Sequence, residues 1–213
     1  MIRSRAAFAA LGALALATAP ALADSWKIDT SHSSVSFSVT HMMVSTVRGN
    51  IGGLDGTLEY DGKDASSIKV DASVDANAIS TNNEKRDAHL KTEDFFDVAN
   101  NPKITFKSKK ATAGTKPGTF TLTGDLTIRG TTKEVTFEGT GPSPIVKGMR
   151  GESRVGASVT GKINRLDYGI KWNPALEGGG VGGVVVSNEV SITIDIEALQ
   201  PPANPPAPPA PKP

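Results

Sequence analysis

The chain reads as an all-β protein on three observations. Side-chain character alternates with a period of two along most of Ser25 to Leu199, turn dipeptides punctuate the alternating runs, and only one segment breaks into a helical pattern. Successive side chains of an extended strand point to opposite faces, so each run has one apolar face and one wet face. At 213 residues, with 22 Gly, 14 Pro and no cysteine, the chain is long enough for one domain with a substantial core. That core must hold the fold without disulfides, and there is no cysteine to carry a lipid.

Residues 1–23 read as a secretory leader. Arg3 and Arg5 form a positive start, AAFAALGALALA is a short apolar stretch, and Ala21, Leu22 and Ala23 make an A-x-A cleavage site. The apolar stretch falls short of the roughly 20 residues a spanning helix needs, so cleavage before Asp24 is expected rather than a retained anchor. Residues 24–200 then form the domain. Val35, Phe37 and Val39 alternate with Ser36, Ser38 and Thr40, followed by Leu54, Leu58 and Tyr60. Ile68, Val70, Ala72, Val74, Ala76 and Ala78 alternate with Lys69, Asp71, Ser73, Asp75 and Asn77.

The helical pattern covers roughly Asn83 to Leu90, with Asn82 or Asn83 as its cap. Alternation returns at Ile104 and Phe106, then at Phe120, Leu122, Leu126 and Ile128, and then at Val135 and Phe137. Val155, Ala157, Val159 and Ile163 follow, and Val190, Ile192, Ile194 and Ile196 close the series at about eight or nine strands. Asp61-Gly62, Lys116-Pro117-Gly118, Arg129-Gly130 and the Gly141 to Pro144 cluster separate them, and such short connections imply antiparallel neighbours. Alternation alone leaves barrel and sandwich open.

Residues 201–213, PPANPPAPPAPKP, contain eight prolines and read as an extended tail outside the sheet. Without Arg3 and Arg5 the 23 Lys and Arg become 21 against 22 Asp and Glu, a formal charge of −1. Nothing in that balance points to nucleic acid. The densest basic run, Lys107 to Lys110, reads as a strand edge guarded by lysines.

Two stretches are distinctive: DTSHSSVSFSVTHMMVSTVRG from Asp29 to Gly49, and HLKTEDFFDVANNPKITFKSKK from His89 to Lys110. With GDLTIRGTTKEVTF from Gly124 and GKINRLDYGIKWN from Gly161, they resemble the YceI-like family, secreted bacterial proteins of lipocalin-like shape that bind polyisoprenoid or other long-chain lipids. The resemblance covers Ser25 to Leu199. It implies an antiparallel lipocalin-like β-barrel of about eight strands with one short helix, in the periplasm, enclosing a long-chain lipid.

On that reading Val35, Phe37, Val39, Phe106, Leu126, Ile128 and Phe137 face the ligand, and of the adjacent Phe95 and Phe96 one enters the interior while the other packs beneath the helix. His41, Arg48, Arg86 and Tyr168 are the candidates for the ligand's polar head. Arg86 and Asp87 are also candidates for an ion pair that fixes the helix. Ala72, Ala76, Ala78, Gly124, Gly139, Ala157 and Gly161 thin out the apolar faces, which either leaves room for lipid or permits strand coiling; the resemblance favours room. Relatives often carry phenylalanine where this chain has Tyr168, and its hydroxyl needs a partner if buried.

No catalytic residue is expected, since the chain has no G-x-S-x-G elbow, cysteine nucleophile or H-E-x-x-H. His32, His41 and His89 lack metal-site spacing, so no metal and no cofactor is expected. The chance G-x-G-x-x-G of Gly178, Gly180 and Gly183 precedes a strand, not a helix. The expected partner is an isoprenoid or other long-chain lipid, with homodimer formation left open. The alternatives are a hydrolase or isomerase using the same cavity, and a packed module acting through its surface or tail.

Overall fold

The computed structural model describes residues 24–174 and 185–202. The expected leader, the glycine run at 178–183 and the tail beyond Pro202 lie outside the described residues. Twelve strand segments form one antiparallel sheet: β1 (Asp24–Ile28), β2 (Ser34–His41), β3 (Ser45–Ile51), β4 (Asp55–Tyr60), β5 (Lys69–Asp75), β6 (Ile79–Ser80), β7 (Lys103–Ala113), β8 (Thr119–Ile128), β9 (Thr131–Thr140), β10 (Val146–Lys147), β11 (Ser153–Asn164) and β12 (Val186–Gln200). The one α-helix among the described residues, α1 (Glu84–Leu90), is capped by Asn83, whose side chain accepts from the Arg86 N–H at 3.0 Å.

The segments close into an eight-stranded barrel because four of its staves are each built in two tiers. β12 pairs along one edge with β11, and along the other first with β2 and then, at Ala198 and Leu199, with β1. β1 and β2 therefore share one stave. β4 pairs with β1 and β3 with β2, and next to them β5 pairs with β4 and β6 with β3. The wall continues through β7, β8, β9 and β11 back to β12, and the short β10 extends the β9 stave along the same edge of β11.

The joints between tiers have local causes. Gly53 adopts a left-handed φ of 68° between β3 and β4, where a side chain would be strained and would also press on Asp75. Between β5 and β6 a 3-10 turn, Ala76–Ala78, is capped by the Asp75 carboxylate, which accepts from the Asn77 N–H. Sequence alternation runs through this turn. The strand actually stops at Asp75, so Ala76 is buried while Ala78 is exposed.

The lysine run is not an edge. β7 lies between β5 and β8, and Lys107 and Lys109 meet Asp71, Asp125 and Glu134 of neighbouring strands on the outer surface. A bulge between Ser108 and Lys110 lets both Lys109 and Lys110 face solvent and returns Ala111 to the interior.

At one end the interior packs around Trp26, 1 % exposed, with Tyr60, Phe120, Leu122, Val155 and Ala198, of which Phe120, Leu122 and Val155 also face the cavity. At the other, Ile51, Leu54, Phe95, Tyr168 and Ile170 gather beneath α1.

Candidate functional site

Above the Trp26 layer the barrel holds a cavity of about 370 Å³. Val35, Phe37, Val39, Phe106, Leu126, Ile128 and Phe137 line it, as alternation places them. His41, Arg86, Phe95, Phe96 and Tyr168 also border it. Arg48 does not. It is exposed on the outer face of β3, because its neighbours Val47 and Gly49 take the inner one. The pair Phe95 and Phe96 sits in a run of turns rather than an extended segment, so both side chains reach the cavity instead of parting to opposite sides.

Four inward glycines do not leave open volume; they seat phenylalanine rings from the adjacent strand. A Cβ on Gly49 would fall 2.5 Å from the Phe37 ring, on Gly124 2.7 Å from Phe106, on Gly139 2.3 Å from Phe120 and on Gly161 2.5 Å from Phe137. Real Cβ contacts of that length do not occur, so each ring lies flat across the backbone of its neighbour. Phe106 and Phe137 also meet edge to face at 5.5 Å.

Polar groups gather at the α1 end of the cavity, and Arg86, Asp87 and His89 there are held by bonds within the chain. The Arg86 guanidinium donates to the hydroxyl and carbonyl oxygens of Thr81 at 2.7 and 3.0 Å. Asp87 accepts from the same threonine's N–H at 2.8 Å and hydroxyl, so the expected Arg86–Asp87 ion pair is replaced by a shared grip on Thr81. His89 bonds Asp94 at 2.8 Å and stacks edge to face on Phe95 and Trp172 at 5.0 and 5.1 Å.

Arg165 is the group that sequence reasoning missed. It follows β11, is 4 % exposed, and borders the cavity. It donates to the carbonyls of Ser187, Ile170, Trp172 and Val186 and to the Asn188 side chain, at 2.7 to 3.3 Å. All five donors are spent on neutral acceptors. Burial pushes the guanidinium's pKa down. The bonds staple the 170–172 segment to the start of β12. Trp172 was missed as well; the only signal for either was their place inside the GKINRLDYGIKWN motif.

Tyr168, 2 % exposed, carries the one buried side-chain polar atom without a hydrogen-bond partner among the described residues. Burial first, and the Asp167 charge second, push its hydroxyl up to about 12, so it stays a donor. The three histidines do not converge: His41 and His89 border the cavity, while His32 lies at the joint between β1 and β2. There Asp29, His32 and Glu197 bring ligand atoms within 4.8 Å of one another, but the Arg154 guanidinium already bonds both carboxylates.

Among the described residues no helix is long and apolar enough to cross a membrane. A family model for the YceI-like domain matches residues 26–198. A UPF0312 protein of Staphylococcus aureus (strain N315) is 42 % identical over 173 residues, 79 % of this chain and 94 % of the relative. The crystal structure of the Campylobacter jejuni YCEI protein superposes with a TM-score of 0.63 at 27 % identity, covering 76 % of this chain and 89 % of that one. A polyisoprenoid binding domain from Saccharophagus degradans shares the fold, with a TM-score of 0.59 at 13 % identity over 84 % of this chain and 99 % of that one.

Proposed function

The chain belongs to the YceI-like domain family, and from that membership and its apolar cavity we propose that it is an exported carrier of a long-chain isoprenoid or similar amphiphile. The observation that carries the reading is the barrel cavity, about 370 Å³, walled by aliphatic and phenylalanine side chains. At roughly 30 Å³ per water-sized unit, it accommodates on the order of a dozen methylene equivalents. Burying them is favourable by about 10 kcal/mol before several kcal/mol of ordering and association costs are subtracted. Mechanism on this reading is burial rather than bond making. The same fold carries the name of polyisoprenoid binding in the Saccharophagus degradans domain.

Residues 1–23 serve as the leader that delivers the protein to the periplasm, and 24–200 as the carrier. The polar head is met at the α1 end, where His41, Arg86 and Tyr168 border the cavity. Arg48, outside the barrel, has no part in it. The test is mass spectrometry of an organic extract from protein purified from its own host, together with titration of the lipid-free protein by isoprenoids and fatty chains. A co-purifying single-chain lipid that rebinds is the expected result. Preparations that carry none and bind neither probe would overturn the carrier reading.

A further inference from the structure

The β2–β3 hairpin breaks the usual chemistry of turns. Its tip is Met42, Met43 and Val44, which are 43, 73 and 84 % exposed. Met42 and Met43 hold left-handed φ values of 49° and 61°, a region that favours Gly, Asn and Asp. Three consecutive large apolar side chains in water, two of them on an unfavourable backbone, form a local conflict of the kind found at functional sites.

The tip's position says what it contacts. His41, the residue before it, and Val39 and Val47, paired just behind it, all line the cavity. Met42 N–H donates to the carbonyl of Val185 at 2.9 Å, and Val185 and Val186 line the cavity as well. The exposed apolar tip is therefore continuous with the cavity wall. A chain of about a dozen methylenes, at ~0.8 kcal/mol each, crosses open water only slowly. Loading needs a route that keeps the chain out of water.

Resting on the carrier reading above, we propose that Met42, Met43 and Val44 dip into a lipid bilayer so that the ligand passes between membrane and barrel along this rim.

The experiment uses the mature protein, a fluorescent polyene fatty acid as probe, and vesicles of phosphatidylethanolamine and phosphatidylglycerol. The variant is Met42→Asn/Met43→Asn/Val44→Ser, whose asparagines suit the left-handed turn and keep it folded. For the wild type the transfer rate rises with vesicle concentration, the mark of collision. For the variant it is about tenfold slower, equivalent to about 1.4 kcal/mol of lost contact, and independent of vesicle concentration, while Tm and equilibrium affinity for the probe stay put. Equal rates for the two proteins overturn the proposal. So does a variant whose change appears as altered sedimentation, which would assign the tip to a contact between copies of the chain. Failure of both proteins to bind the probe at all is a different result, since it removes the carrier reading itself.

Discussion

Gly139 shows how a single missing side chain shapes the wall. Its absent Cβ is what allows the Phe120 ring to lie across β9. Gly139→Ala forces that ring off its rotamer, at a cost of about 1 to 3 kcal/mol, or several degrees of Tm for a domain of this size. Gly156→Ala, whose Cβ meets nothing closer than 3.4 Å, is the near-neutral control. Matching melts for the two would show that the ring has somewhere else to go. Tyr168 is the opposite case, a group present without a use in the empty barrel. Tyr168→Phe removes an orphaned hydroxyl and raises the Tm of lipid-free protein, on the order of 1 kcal/mol. A fall in Tm would show that the hydroxyl finds a partner in solution.

At the scale of elements, alternation was legible wherever strands run unbroken. Val35, Phe37 and Val39 could be assigned to one face because nothing between them disturbs a period of two. The same rule failed at Ala78 and at Lys110, where a 3-10 turn and a bulge reset the parity, since neither feature leaves a mark in side-chain character. Arg165 was illegible for a different reason. Four of its five acceptors are backbone carbonyls, and these have no residue signature at all. Arg48 was misplaced because its neighbour Gly49 carries no hydropathy to show which face is inner. Phe37→Asp tests the assignment that did follow the rule: it buries a carboxylate in the cavity wall and abolishes folding or probe binding, whereas Ser38→Asp on the other face stays within about 0.5 kcal/mol of wild type. Equal losses in Tm from the two would reverse the faces of β2.

For the whole molecule, one polar seam links the β1–β2 joint to β11 and β12. At the joint of β1 and β2, Asp29 accepts from His32 and from Arg154 of β11, and Arg154 also bonds Glu152 and Glu197 of β12. The His32 bond above all, with the Ser31 N–H and Arg154 adding to it, holds the Asp29 carboxyl down to about 2. The folded value lies below the unfolded one, near 3.9, so the ionised form is the one the fold favours. Its contribution is complete above about pH 4 and is lost as pH falls towards 2. Wild type therefore loses Tm over that window more steeply than Asp29→Asn, and the two curves converge in acid. Curves that stay parallel from pH 7 to pH 2 would remove Asp29 from the acid response.

Three of the two-tiered staves lie side by side, so their joints at 29–33, 52–54 and Ala76–Ala78 form a belt around part of the circumference, while β7, β8, β11 and β12 run through without a break. A hoop that is rigid on one side and articulated on the other has no single girth. A bore that widened by flexing at the belt, with every ladder on the continuous side intact, would admit hydrocarbon tails of different bulk. Deuterium should then reach the amides of β3, β5 and β6 well before those of β8 and β11, and a filled barrel should slow the first group and leave the second unchanged. Uniform exchange around the hoop would mean that its girth is fixed and that the cavity fits one tail only.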